Sequence, residues 1–139
     1  MNKVAWMLGL VLVMFLMQGC ISIHTEEKTS STPTTYEPKG TTIQEINAAG
    51  MLSFENDRLQ ALKRIAQRKG LNDTAQVHLV EAIFRRLDFE QSKVEVLMTL
   101  VKNSSFSPAA ESAILDRLSQ LSFENDKSKV LDAISKRKS

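Results

Sequence analysis

Few side chains of this 139-residue chain have the types and spacing that chemistry requires. It contains one cysteine, Cys20, and two histidines, His24 and His78. His78 falls within a predicted helix without a second histidine at a metal-binding spacing, and there is no nucleophile elbow or phosphate-binding glycine loop. Paired acids such as Glu55 and Asp57 fall at predicted helix starts, where the helix dipole explains them. We therefore predict that the protein is not an enzyme and binds no cofactor or metal.

Cys20 directly follows a short apolar segment at the start of the chain. Lys3 precedes an apolar run over residues 4–17, and Gln18 and Gly19 separate that run from Cys20. A run of this length spans about 21 Å as a helix, less than the roughly 30 Å hydrocarbon core of a membrane. The segment is therefore typical of a signal peptide and not of a permanent transmembrane helix.

The residues around Cys20 resemble the lipobox of bacterial lipoproteins, in which Leu-[Ala/Ser]-[Gly/Ala] precedes a cysteine. Gly19 and Cys20 match the pattern, and Leu16 lies one place early. Met17 and Gln18 depart from it. The resemblance implies that the thiol receives a diacylglyceryl group and that a signal peptide over residues 1–19 is removed. The alternative is an ordinary secretory signal with an incidental cysteine.

The lipoprotein resemblance also implies a location in the cell. Enterobacterial lipoproteins that stay at the inner membrane usually carry Asp after the cysteine, whereas this chain has Ile21. The resemblance thus implies a protein anchored to the bacterial envelope by acyl chains such as palmitate, at the outer membrane if the host has one.

The segment that follows the cysteine has the composition of a linker. Residues 20–41 are rich in Ser, Thr, Pro, Glu and Lys and contain few side chains to bury, so we expect a flexible tether. Residues 42–139 then form the only folded domain that we expect.

A phrase that occurs three times organises the rest of the sequence. Leu-Ser-Phe-Glu-Asn-Asp starts at Leu52, Leu-Asp-Phe-Glu-Gln-Ser at Leu87, and the first version again at Leu121, in steps of 35 and 34 residues. A period of this size predicts an array in which each unit is a pair of helices. We therefore expect an all-α fold, a small right-handed array of antiparallel helix pairs with about six helices.

Each phrase is expected to start a helix with an apolar stripe. We predict N-caps at Ser53, Asp88 and Ser122, and we expect the phenylalanines Phe54, Phe89 and Phe123 to begin the buried stripe. The other residues expected inside these helices are Leu59, Ala61, Leu62, Ile65 and Ala66, then Val94, Val96, Leu97, Leu100 and Val101, then Val130, Leu131 and Ile134.

Further helices are predicted around the phrases. A short opening helix has a capping box at Thr42 and Glu45 and ends at Gly50. Two intervening helices start at Asn72 or Asp73 and at Ser107-Pro108. Their expected inward faces are Leu79, Val80, Ile83, Phe84 and Leu87, and Ala110, Ile114, Leu115 and Leu118.

The stretch over residues 53–102 resembles the bacterial family catalogued as domain of unknown function 4476, whose helices of the type Phe-x-x-x-Lys are separated by a Thr-x-x-Gln-Val helix. The residues that resemble this pattern are Phe54, Arg58, Thr74, Gln76, Val77, Phe89, Glu90 and Lys93, with Thr74 one place closer to Gln76 than the pattern has and Arg58 in place of the lysine. The resemblance implies the helical fold and supplies no catalytic motif.

Charge restricts the partners that we expect. The formal net charge is +2, and it falls to +1 when Lys3 is removed with residues 1–19, so the footprint of a nucleic-acid binder is missing. Basic residues nevertheless collect at predicted helix ends, at Arg64, Arg68, Lys69, Arg85, Arg86, Lys136, Arg137 and Lys138. They form either a surface for anionic lipid or cell-wall polymer or a solvated surface that complements the helix dipoles.

The sequence therefore favours a helical module that binds an unidentified protein partner while a lipid at Cys20 anchors it to the membrane. The alternative is a binder of anionic lipid or cell-wall polymer that uses the basic helix ends.

Overall fold

A computed structural model of the chain describes residues 39–139. The helices are α1 (Lys39–Gly50), α2 (Glu55–Ala66), α3 (Asp73–Arg86), α4 (Glu90–Val101), α5 (Pro108–Arg117) and α6 (Glu124–Arg137), with a 3₁₀ turn at Leu118–Gln120. The described residues contain no β-strand, and the predicted all-α fold of about six helices is confirmed. The leader, Cys20 and most of the predicted tether lie outside the described residues, so the predictions about them stay predictions.

The six helices lie in two rows. The helices that follow the repeated phrase, α2, α4 and α6, pack side by side in one row, which we call the phrase row. α1, α3 and α5 form the second, intervening row. Short connections join the rows, so consecutive helices run in opposite directions, as the repeat predicts. α1 packs against both α2 and α3 and is therefore a full member of the intervening row.

The core lies between the rows and contains most of the apolar residues that the sequence assigned to it. Leu62, Leu79, Leu97 and Ile114 have no exposed surface. Apart from the three phenylalanines, two of the expected core residues are exposed, because they lie in the last unit, where no following helix among the described residues covers them. These are Leu115, 43% exposed, and Leu131, 41% exposed.

The intervening helices start as predicted. The Asn72 side chain accepts a hydrogen bond from the Ala75 amide (2.8 Å) at the start of α3. Ser107 accepts one from the Ala110 amide (3.2 Å), and Pro108 occupies the first position of α5. Both caps therefore satisfy an amide that the helix itself leaves without a partner.

The other predicted helix starts are wrong by one to four residues. α1 begins at Lys39, so Thr42 lies inside the helix and is not its N-cap. Ser53, Asp88 and Ser122 are not N-caps either, because each phrase helix starts one residue later. The N-cap residues are Phe54, Phe89 and Phe123, whose side chains cannot accept hydrogen bonds.

The expectation that the three phenylalanines are buried is also wrong. Phe54 is 72% exposed, and Phe89 and Phe123 are each 65% exposed. Each has an extended backbone in front of the first helical turn, so its side chain does not follow the helical periodicity that places Leu62 and Leu97 inside.

A buried amide joins the starts of two intervening helices. The Gln76 side chain donates to the carbonyls of Leu71 and Ser105 (2.7 Å each) and accepts from the Ser107 amide (3.0 Å). Gly70, the residue before Leu71, has a φ of 76°, which glycine adopts without steric cost. These contacts place the start of α5 beside the start of α3.

Candidate functional site

The glutamate of the repeated phrase connects each phrase helix to the next one. Glu55, the first residue of α2, accepts hydrogen bonds from the amides of Asp88 (3.2 Å) and Phe89 (3.3 Å) at the start of α4. Arg58 donates to the same carboxylate at 2.8 Å and to the Asp88 carboxylate at 2.6 Å. The preceding unit therefore binds the backbone amides at the N-cap of α4 and one residue before it.

Glu90 repeats the arrangement one unit later. One of its carboxylate oxygens accepts from the Ser122 amide and the other from the Phe123 amide, both at 2.7 Å. We call the contacts of Glu55 and Glu90 the glutamate links. They hold the starts of α2, α4 and α6 in one line, so that these helices run parallel.

The third copy of the glutamate has no such contact among the described residues. Glu124 bonds only Lys127, one turn further along α6, at 2.6 Å. Its side chain is 83% exposed, whereas that of Glu55 is 15% exposed. Glu124 therefore has the local arrangement of the other two glutamates without the amide pair that each of them binds.

The glutamate links stabilise the ionised carboxylates. Burial raises the pKa of Glu55, but the Asp88 amide, the Arg58 guanidinium and the Phe89 amide outweigh it, so this pKa lies below the ordinary 4.5. Desolvation likewise raises the pKa of Glu90, and its amide donors outweigh that effect and lower the pKa. The links therefore favour folding while the carboxylates are charged.

A second set of contacts connects the phrase helices at their other ends. The Asn103 side chain donates to the carbonyls of Ala66 and Arg68, each at 2.7 Å, where α2 ends. Arg137 donates to the carbonyls of Val101 (2.8 Å) and Asn103 (2.9 Å), where α4 ends. Each phrase helix is thus bound to its neighbour at both ends.

The three exposed phenylalanines lie in a row along one edge of the array. Because the glutamate links place the phrase-helix starts side by side, Phe54, Phe89 and Phe123 follow one another along one edge. Packed helices are about 8–10 Å apart, so this phenylalanine row extends over roughly 20 Å. Met51, also exposed, lies three residues before Phe54. Aromatic side chains exposed in a row are typical of a contact surface for another molecule.

A groove of about 400 Å³ lies on the outer side of the phrase row between α4 and α6. We call it the α4–α6 groove. Its apolar residues include Met98 and Ala133, and four cationic side chains and one carboxylate surround them. The lining residues are Met98, Val101, Lys102, Lys129, Asp132, Ala133, Lys136 and Arg137. The groove thus combines an apolar floor with an excess of positive charge.

The eight basic residues singled out in the sequence do not form one surface. Arg85 and Arg86 end α3, at the edge that carries the phenylalanine row, because α3 runs opposite to the phrase helices. The other six lie at the opposite end, where α2 and α6 finish. Within that group only Lys136 and Arg137 line the α4–α6 groove, and Lys69 borders a neighbouring depression with Lys102.

Three of these basic residues bind other groups within the domain. Arg68 forms a two-point ion pair with Glu45, with one contact at 2.5 Å, and this pair lowers the pKa of the Glu45 carboxyl. Lys138 pairs with Glu111 at 2.5 Å. The Arg137 guanidinium also lies 5.3 Å from the centre of the Phe106 ring. Arg64 and Lys69 are exposed.

The described part of the chain offers little else for chemistry. His78 Nε2 lies 2.8 Å from the Asn47 amide oxygen, a contact between α3 and α1. Within residues 39–139 there is no cluster of His, Cys, Asp and Glu that could hold a metal ion. No described helix is long and apolar enough to cross a membrane.

Comparison with known proteins gave no relative: no family model, curated protein or solved structure matches this chain. The likeness to domain of unknown function 4476 therefore stays a prediction based on short helical phrases.

We predict that Glu90→Gln destabilises the domain and Glu124→Gln does not. An amide side chain has one acceptor oxygen where the carboxylate uses two, so one of the Ser122 and Phe123 amides loses its partner. Thermal unfolding of dilute protein at neutral pH, followed by circular dichroism, should show a midpoint several degrees lower for Glu90→Gln. Equal midpoints for the two variants would contradict this role of the glutamate.

The same variants also test how the stability of the fold depends on pH. A carboxyl whose folded pKa is lowered stabilises the fold above its unfolded pKa, here the ordinary 4.5, and this contribution is lost as the pH falls through the folded value. Wild-type stability should therefore fall below about pH 4.5. Glu90→Gln should show a smaller loss, and an unchanged pH dependence would argue against the link.

Proposed function

We propose that the protein is a lipid-anchored component of the bacterial cell envelope whose helical array binds another envelope protein. The anchor in this proposal is Cys20, at the outer membrane where the host has one. The observation that carries the binding role is the phenylalanine row, an exposed aromatic edge on an otherwise ordinary helical surface. Aromatic residues contribute most of the binding energy in many interfaces.

The position of the row supports this proposal. The folded domain does not need these side chains in its core, since the stripe that includes Leu62 and Leu97 fills it. The same residue type nevertheless stands at this position in all three copies, with the phenyl ring exposed each time. Carboxylates and Arg85 and Arg86 lie near the row, as expected for a contact surface with an apolar centre and a polar rim.

The lipid anchor is testable separately. We expect cells that express the full-length chain to incorporate labelled palmitate into it and to convert it to the mature form. Cys20→Ser should remove the label and leave the uncleaved precursor, because the substituted side chain lacks the thiol that the acyl-carrying group modifies. Palmitate label that persists in Cys20→Ser would refute Cys20 as the anchor. Cleavage of the wild-type chain without incorporation of label would favour the ordinary secretory signal.

A second candidate function has its own observation, the α4–α6 groove. An apolar floor between Lys102, Lys129 and Lys136 suits an anion that also carries an apolar part, such as a phospholipid or a lipid-linked wall polymer. Each lysine near an anionic surface contributes about 1 kcal/mol, so three lysines supply roughly a hundredfold in affinity. Of the predicted basic residues, Lys136 and Arg137 line the groove in this candidate function, and Arg85 and Arg86 have no role in it.

One experiment tests the main proposal against the second candidate. Envelopes of cells that express the lipidated protein are treated with a crosslinker, and species that contain a second, different protein are quantified. The triple variant Phe54→Ser, Phe89→Ser, Phe123→Ser should lose nearly all of them, since an aromatic hot spot contributes about 2 kcal/mol or more. The matched control Lys102→Gln, Lys129→Gln, Lys136→Gln should retain them.

The remaining outcomes decide between the candidates. Crosslinks to another protein that persist in the phenylalanine variant would contradict the main proposal. The groove would be favoured if only the lysine variant lost the crosslinks. The wild-type protein should then sediment with anionic vesicles in a salt-sensitive way, and the lysine variant should sediment with them more weakly.

A further inference from the structure

The last unit of the array exposes a surface that corresponds to buried surfaces inside the domain. Leu131 occupies the position in α6 that Leu62 occupies in α2 and Leu97 in α4. Those two leucines are fully buried, and α4 and α6 respectively pack against their helices. Leu115 in α5 likewise corresponds to Val80 in α3, which is buried. Leu131 and Leu115 therefore lie where a following unit would pack.

Glu124 completes this surface with a polar group. In the two preceding units the corresponding carboxylates bind the amides of the next phrase through the glutamate links. The residues that Glu90 binds belong to Leu-Ser-Phe at positions 121–123, and the same tripeptide occurs at positions 52–54. The start of α2 thus carries the sequence that this type of glutamate already binds in the fold.

The first unit exposes the complementary features. Leu52 is 41% exposed, whereas Leu87 and Leu121, at the same position of the phrase, are buried. Among the described residues the amides of Ser53 and Phe54 have no hydrogen-bond acceptor, although the equivalent amides of the later units are held by glutamates. The first unit therefore lacks the contacts that a preceding unit would supply.

A depression at this end can receive an apolar side chain. It measures about 280 Å³, lies between α1 and α2, and is lined by no residue of α3 or α4. Its apolar lining consists of Ala48, Ala49, Leu52, Ala61 and Ile65, and the charged residues Glu45, Arg64 and Arg68 complete it. The small alanine side chains in this lining leave room for a leucine that projects from another surface.

We propose that a second copy of this chain stacks head to tail on the array, with Glu124 and Leu131 of one copy against the Ser53–Phe54 amides and the α1–α2 depression of the other. The stacking continues the packing between units within the chain: α2 of the second copy lies beside α6, and its α1 lies beside α5 and covers Leu115. Such an interface joins two different surfaces, so each copy retains one open end and the contact can propagate.

Two differently tagged full-length chains, expressed together and extracted in mild detergent, test this geometry by co-recovery. Wild-type chains should recover each other. Leu131→Lys in both chains removes every functional α6 end, and Leu52→Lys in both chains removes every functional α2 end, so either variant alone should lose co-recovery. When one chain carries Leu131→Lys and the other Leu52→Lys, one intact pair of ends remains, and co-recovery should return.

The controls separate this contact from other associations. Phe89→Lys makes the same kind of change at an exposed apolar residue away from both ends and should leave co-recovery at the wild-type level. Glu124→Gln should reduce co-recovery several-fold. Failure of wild-type chains to recover each other, recovery with Leu131→Lys in both chains, or no recovery of the mixed pair would each overturn the proposal. The phenylalanine variants test the proposed function independently of these results.

Discussion

A carboxylate that binds two backbone amides of the following unit is the interaction on which the arrangement of the array depends. Phe89 and Phe123 stand at the N-cap positions of their helices and cannot satisfy amides with their own side chains. Glu55 and Glu90, each directly after the phenylalanine of the preceding phrase, bind instead the backbone amides at these N-cap positions and one residue before them, across the interface between units. This contact aligns the starts of neighbouring phrase helices along the array. Asn103 and Arg137 connect the opposite ends of the same helices.

This arrangement separates three roles within one short phrase. The apolar residues of the helix fill the core, the glutamate connects the units, and the phenylalanine remains at the surface. A residue that neither the core nor the links require is available for recognition, which is why we assign the binding role to the phenylalanine row. Head-to-tail stacking would continue the row from Phe123 of one copy to Phe54 of the next.

Sequence patterns predicted the features that depend on residues inside helices. The period predicted the paired helices, the apolar stripes predicted the core around Leu79 and Leu97, and Asn72 and Ser107-Pro108 predicted two helix starts. These features are local or periodic, so the sequence contains enough information for them.

The features that the sequence did not predict depend on contacts between units. Phe54 was expected inside because helical periodicity was extended one residue before the helix, where it does not hold. Glu55 was explained by the helix dipole, although its carboxylate binds α4. The predicted basic residues lie at two different ends of the array because α3 runs opposite to α2, which separates Arg85 from Arg64. The sequence did contain one indication of these contacts, the repeated Phe-Glu pair. A single helix needs neither residue at this position, so their repetition points to a role between units.

The glutamate links can be observed directly by following backbone amide signals during an acid titration of the domain by nuclear magnetic resonance. An amide that donates to a carboxylate shifts when that carboxylate is protonated. We expect the Phe89 and Phe123 amides to shift with midpoints below 4.5, the ordinary pKa of glutamate, and the Phe54 amide to show no such transition in dilute protein. Midpoints at or above 4.5 for Phe89 and Phe123, or the same behaviour for all three amides, would contradict this expectation.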